Sequence, residues 1–264
     1  MILIKDGRVI DPRSGMDEIL DIVIRDGMIA DMGKFQRSEE MDTVIDARGK
    51  IVAPGLIDVH VHFRDPGFTY KEDLETGARA AAAGGFTIVV CMANTNPVVD
   101  SEEVLTDLIA RAKDLPVRVL NTAAVTKGLK SQELTDMEAL KRAGAVGFTD
   151  DGIPIRDVGL VLEAMKKAKE LGVPVSLHEE DPELVGSPGV NAGRVAQAMG
   201  VKGASALAEQ TLIARDCLLA LKTGARINIQ HISSKVSVEL IRMMKGMGAP
   251  VYAEVTPQHF SLTE

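Results

Sequence analysis

Short apolar runs broken by Asp-Gly open the chain. Ile2-Leu3-Ile4 and Val9-Ile10 flank Asp6-Gly7, and Ile22-Val23-Ile24 and Met28-Ile29 flank Asp26-Gly27. Asp-Gly supplies the two positive φ angles of a type I′ turn, so each pair predicts a hairpin. Val44-Ile45 then leads through Ala47-Arg48-Gly49-Lys50 into Ile51-Val52-Ala53-Pro54-Gly55. Residues 1–50 therefore read as a small strand-rich domain of their own.

From Leu56 onward short β-branched runs alternate with helical stretches. The predicted strands are Leu56–Val61, Phe86–Val90, Val117–Leu120, Ala145–Phe148, Val173–Leu177, Arg226–Gln230 and Pro250–Val255. Thr135 with Glu138 and Asp100 with Glu103 have capping-box spacing, and Gly84, Gly144, Gly172, Gly224 and Gly248 sit where helices would end. Strand-to-strand repeats of roughly 30 residues are the size of a βα unit in a parallel sheet. One gap is longer: between His178 and Arg226 lie Asp181-Pro182, Gly186-Ser187-Pro188-Gly189 and Gly193, which predict an irregular loop over the strand ends. A (β/α)8 barrel takes about 250 residues and eight strands. Residues 51–264 are thus expected to be an α/β unit with seven of those eight strands.

Composition narrows the function class. A chain of 264 residues with 45% hydrophobic and 26% charged content is the size and balance of a globular enzyme. Its formal charge of -8 argues against binding nucleic acid or anionic membranes, which needs basic patches. Small molecules or other proteins are the expected partners. Cys91 and Cys217 cannot make a disulfide framework, and Cys217 falls in an apolar helical run, so a reducing compartment is expected. The N-terminus has no basic segment leading into an apolar one, and no uncharged apolar run reaches the ~18–20 residues of a membrane span. The expectation is a cytoplasmic protein.

Four of the five histidines fall at the C-terminal ends of predicted strands: His60 and His62, His178, and His231. In a barrel that end carries the active site. His60 and His62, at i and i+2 on a strand, project from one face and can reach one ion, and converging neutral imidazoles suit zinc or a similar divalent metal. Each histidine taken alone is equally a hydrogen-bonded strand-end residue. His259, in the loop after the seventh strand, is given a structural reading. Strand four ends in Phe148-Thr149-Asp150-Asp151-Gly152, where a carboxylate could bridge two metals or merely form a turn.

The stretch Pro54-Gly55-Leu56-Ile57-Asp58-Val59-His60-Val61-His62-Phe63-Arg64-Asp65-Pro66-Gly67 resembles the opening motif of dihydroorotases and their cyclic-amidase relatives. Further similar segments follow in order: Gly84-Gly85-Phe86-Thr87, Met92-Ala93-Asn94-Thr95, Phe148-Thr149-Asp150-Asp151-Gly152, His178-Glu179-Glu180, Gln230-His231-Ile232-Ser233 and Ala253-Glu254-Val255-Thr256-Pro257. The chain departs from the family at Ala93, where members usually have proline. The resemblance implies a metal-dependent hydrolase barrel with residues 1–50 as part of a small β-sandwich. It implies two zinc ions per subunit, one on His60 and His62 and one on His178 and His231, bridged by Asp151 and a hydroxide. Asp151 is preferred to Asp150 from the family's motif alone.

Arg64 and Asn94 match positions that bind the substrate carboxylate, a task a guanidinium fork and an amide donor suit. Arg64 could instead pair with Asp65, and Asn94 could be a turn residue ahead of Pro97. Hydantoinases, allantoinases and some dihydroorotases bridge their metals with a carboxylated lysine, but strand four has none, and the nearest upstream, Lys141, belongs to a helix. The implied reaction is reversible hydrolysis of dihydroorotate to N-carbamoyl-aspartate in pyrimidine synthesis. The alternatives are allantoinase- or hydantoinase-like activity, or a non-catalytic homologue that supports aspartate carbamoyltransferase. A homo-oligomer is also within the family's range. The family's catalytic aspartate, on an eighth strand, is not among these residues.

Overall fold

Alternating apolar residues pair the first strands into one mixed sheet in the computed structural model, which describes residues 1–35, 41–186 and 189–262. The strands are β1 (Ile2–Asp11), β2 (Met16–Arg25), β3 (Met28–Gly33), β4 (Thr43–Asp46) and β5 (Ile51–Val52). Their order is β3-β2-β1-β4, with β5 also on β1; β1 to β3 run antiparallel, and β4 and β5 lie parallel to β1. Because β5 pairs with β1, the first compact unit extends to Leu56 and the second runs from Ile57.

The second Asp-Gly is the turn between β2 and β3, with φ of 52° at Asp26 and 74° at Gly27. The first is not a turn. Asp6 and Gly7 form a bulge inside β1, where the register with β2 shifts between Ile4 and Gly7. A Cβ on Gly7 would stand 2.6 Å from Val52 Cγ2, so this glycine serves a close approach. The buried Asp21 carboxylate fixes the bulge by accepting from Asp6 N at 2.7 Å and from Phe35 N at 2.8 Å. Burial opposes its ionisation, but these N–H groups and Lys34 outweigh it and hold Asp21 below the usual carboxylate range. An apolar groove of about 420 Å³, lined by Ile4, Ile10, Ile24, Ile29, Met32 and Val52 among others, runs along this unit.

The second unit alternates strands and helices: β6 (Leu56–Val61), α1 (Leu74–Ala83), β7 (Phe86–Cys91), α2 (Glu102–Arg111), β8 (Arg118–Asn121), α3 (Met137–Ala143), β9 (Phe148–Thr149) and α4 (Val158–Leu171). It continues with β10 (Val175–Leu177), α5 (Pro182–Val185), α6 (Arg194–Ala198), α7 (Leu207–Thr223), β11 (Ile227–Ile229), α8 (Lys235–Gly246), β12 (Val251–Ala253) and α9 (Pro257–Ser261). The strands follow one another in sequence order, as β6-β7-β8 and as β9-β10-β11-β12, and the pairs β7/β8, β9/β10, β10/β11 and β11/β12 are parallel. A parallel bridge from Ala123 to Phe148 links the two runs, with Val146 N donating to Asn121 O at 3.1 Å and Thr149 N to Ala123 O at 2.9 Å. Seven strands therefore form a continuous α/β arc. Its core is apolar, and Phe148, Met165, Ile213, Ile227 and Ile229 are fully buried in it.

Two helix starts differ from the sequence reading by one residue. Asp136 caps α3 by accepting from Ala139 N, while Thr135 Oγ1 donates to Ala124 O at 2.8 Å. Ser101 caps α2, and Asp100 accepts from Gly128 N at 2.8 Å. In each case the residue before the cap found a long-range partner that local spacing cannot reveal. The long 178–226 segment is not simply irregular: it carries α5, α6 and the whole of α7, and Asn191 bridges to Ala204. Ser187-Pro188 within it lie outside the described residues. Among the described residues no helix is long and apolar enough to cross a membrane.

Candidate metal centre

Parallel strands deliver their C-terminal ends to one side, and the histidines gather there. The pleat of β6 turns His60 and His62 to one face, His178 follows β10 directly, and His231 sits just past β11 in a left-handed conformation with φ of 33°. Asp151 follows β9 and enters the same space. His60 Nε2 lies 3.1 Å from His62 Nε2, and His178 Nδ1 lies 3.1 Å from His231 Nε2. Asp151 spans the two pairs, with Oδ1 at 3.4 Å from His60 Nε2 and 3.8 Å from His178 Nδ1, and Oδ2 at 3.3 Å from His62 Nε2. Two three-donor groups result, His60 with His62 and Asp151, and Asp151 with His178 and His231, each with its donor atoms within 4.8 Å of one another.

The structure separates the two adjacent aspartates. Asp150 points away from the histidines and accepts from Val125 N at 2.8 Å, Thr126 N at 3.0 Å and Thr126 Oγ1. Burial outweighs these bonds and pushes its carboxyl up to about 6. Asp151 is buried too, but the imidazoles of His60, His62 and His178 hold it below the usual range. Asp150 is thus tied to the loop after β8, and Asp151 faces the cluster.

The outer ring nitrogens meet acceptors. His60 Nδ1 contacts Glu254 Oε1, His62 Nδ1 contacts Asn94 Oδ1 at 3.1 Å, and His178 Nε2 contacts Glu180 Oε2 at 3.3 Å. Asn94 also donates to Asp151 Oδ2 at 2.9 Å, so it is committed to the cluster rather than to a turn. An acceptor on one nitrogen leaves the other with its lone pair free for a metal. Burial opposes protonation of His60, yet Asp151 and Glu254 together push it up to about 9. Burial, with the neighbouring cationic groups, lowers His62 and His231.

Arg64 does not pair with Asp65, whose carboxylate takes both arms of Arg111 at 2.8 and 2.9 Å. Among the described residues the Arg64 guanidinium has no hydrogen bond or ion pair; its charge is felt at His62. His259 is exposed, contacts Thr256 Oγ1 at 2.9 Å and is not among the clustered donors. A pocket of about 540 Å³ opens beside His231, lined also by Glu180, Asn191, Glu209, Ser233 and Lys235.

Sequence reasoning gave no role to Glu254 or to a buried group behind the site. Arg215 on α7 holds both oxygens of Asp216, at 2.7 and 2.8 Å, and donates to Ile155 O at 2.8 Å and Arg156 O at 3.1 Å. Glu179, next to His178, is buried against Asp216, and burial with that negative neighbour raises it well above the usual carboxylate range. The group ties the loop after Asp151 to the strand end that carries His178. Glu179 lay in the family-like segment His178-Glu179-Glu180, but its long-range partners Arg215 and Asp216 gave no local signal.

The donor set fits divalent metal ions. Imidazole nitrogens 3.1 Å apart repel if both present lone pairs or both present protons, and a shared carboxylate with outer-nitrogen acceptors is the arrangement a cation resolves. Comparison with known proteins agrees. The model of the "Dihydro-orotase-like" family matches residues 49–237. The chain is 61% identical to a dihydroorotase of Clostridioides difficile and 55% identical to one of Clostridium acetobutylicum, over all of this chain and 63% and 62% of theirs. It therefore spans less than two thirds of the length of these relatives. Among solved structures it is similar to an L-hydantoinase from Arthrobacter aurescens, with TM-score 0.84 and 25% identity over 99% of this chain and 59% of that one. It is also similar to a D-hydantoinase from Thermus sp., with TM-score 0.77 and 27% identity over the same shares. The motifs, the clustered donors and the family match converge, and the chain belongs to the dihydroorotase-like family.

Proposed function

We propose that the protein hydrolyses dihydroorotate reversibly to N-carbamoyl-aspartate, with two zinc ions held on the five clustered donors. The observation that carries this is Asp151 lying between two histidine pairs. In this reading the seven-stranded arc belongs to a (β/α)8 barrel, and the first unit is part of a small β-sandwich. Bound there, the ions would lower the pKa of water and polarise the amide carbonyl. Asp151 keeps the two histidine pairs in register, and Asn94 orients both His62 and Asp151. Arg64, whose guanidinium is uncommitted, takes the substrate carboxylate, with the Asn94 amide at its edge. None of the described residues takes the part of the proton shuttle, which the family places on an eighth strand.

The absence of lysine at the end of β9 favours this reading over a hydantoinase, as does the higher identity to dihydroorotases. Full-length, zinc-loaded protein should turn over dihydroorotate and N-carbamoyl-aspartate and leave allantoin and hydantoins intact. Ring opening of a hydantoin or allantoin without dihydroorotate turnover would reject it. Arg64→Met should raise KM about 100-fold, the equivalent of about 3 kcal/mol from an unpaired substrate carboxylate, with metal content unchanged. A KM within twofold of wild type would remove Arg64 from the substrate site.

A further inference from the structure

Glu254 follows β12, at the opposite edge of the arc from β6, yet its side chain reaches His60, 194 residues away in sequence. The backbone holds it firmly: Glu254 N donates to Ile229 O at 3.0 Å, and Glu254 O accepts from Ile232 N at 2.9 Å. Its two carboxylate oxygens are divided. Oε1 contacts His60 Nδ1, and Oε2 accepts from Asn228 Nδ2 at 3.2 Å. Asn228, on β11, also reaches Ser176 Oγ on β10 at 3.4 Å. The Glu254 side chain is only 16% exposed, and among the described residues no lysine or arginine forms an ion pair with it. A mostly buried carboxylate without a cationic partner is costly, so its charge must be compensated by the imidazole and by whatever that imidazole binds.

We propose that Glu254, oriented by Asn228, is a positioning residue that fixes His60 with its proton on Nδ1 and its Nε2 lone pair directed at the metal. The inference rests on the metal-centre reading. It makes the two histidines of one ion unequal, because His62 leans on the neutral amide of Asn94 whereas His60 leans on a full negative charge. The stronger acceptor on Nδ1 holds the ring more firmly and tightens the ion it shares with His62 and Asp151. Neither His178 nor His231 hydrogen-bonds Glu254, whose charge reaches His231 only through space, so their ion should respond far less.

The test uses full-length protein dialysed against graded chelator, with zinc content measured by mass spectrometry. Long-range ¹H–¹⁵N NMR identifies which ring nitrogen of His60 is protonated. Wild type should retain two zinc ions. Glu254→Ala should lose one of them at a roughly 10–100-fold lower chelator concentration and keep the other. It should also lose the single His60 tautomer. Glu254→Gln, whose side-chain oxygen still accepts from Nδ1, should keep the tautomer but bind that ion more weakly than wild type. Asn228→Ala should fall between wild type and Glu254→Ala. If Glu254→Ala does not fold, Glu254→Gln and Asn228→Ala decide. Wild-type chelator midpoints in all the folded variants would overturn the role of Glu254 while leaving the centre intact. A wild-type protein that retains no zinc would overturn the centre and this inference with it.

Discussion

On the proposed two-metal reading, Asp151→Ala should strip both metal equivalents from the protein and lower kcat/KM by on the order of 10⁴-fold or more, because water activation and carbonyl polarisation are lost together. Among the described residues its carboxylate is the only donor shared by both histidine pairs, so neither pair keeps a complete set without it. Asp150→Ala is the informative contrast. It removes three hydrogen bonds to Val125 and Thr126 and leaves two backbone N–H groups unpaired in a buried loop. The expected cost is roughly 2–4 kcal/mol of stability, with both metals retained in the folded fraction. Zinc content and thermal unfolding of the two variants separate these outcomes. Equal loss of zinc would show that the adjacent carboxylates are not divided between loop and metal.

Gly67→Ala should unfold the protein about 6–12 °C earlier, corresponding to about 3 kcal/mol of strain. Gly67 has φ of 90°, and a Cβ there would stand 1.9 Å from Asn96 O and 2.8 Å from Asn96 Cβ. The obstacle is backbone, which no side-chain rotation can clear. The same approach lets Asn96 N donate to Pro66 O at 3.1 Å, lacing the loop after β6 to the loop after β7. Those loops carry Arg64 and Asn94. The variant should therefore also bind substrate more weakly, even at temperatures where it stays folded. A thermal midpoint within 2 °C of wild type would show that the two loops separate freely.

Period and position made much of this legible in the sequence. Two histidines at i and i+2 announced a common face, and runs of β-branched residues about one βα unit apart announced the strands. The readings that went astray share a physical cause. Asp6-Gly7 has the chemistry of a tight turn, and the same positive φ at Asp6 serves a bulge whose reason, the approach of Val52, comes from another strand. Thr135 and Asp100 looked like helix caps because their long-range partners, Ala124 and Gly128, lie outside any local window. Asp150 and Asp151 are neighbours of identical chemistry, and only the position of the Val125-Thr126 backbone tells them apart. Glu254 lay in one of the family-like segments and at the end of a predicted strand, but nothing local gave it a role. Its partner, His60, is 194 residues away.

The sequential order of the strands has a consequence for how the chain is made. Each new strand docks on the one synthesised just before it, so the arc can grow by short loop closures as the polypeptide leaves the ribosome. The donor set obeys a different timetable. His60 and His62 emerge first, and their complement on β10 and β11 follows much later. On the proposed reading, His60 and His62 offer an ion half a site well before Asp151, His178 and His231 are made to complete it.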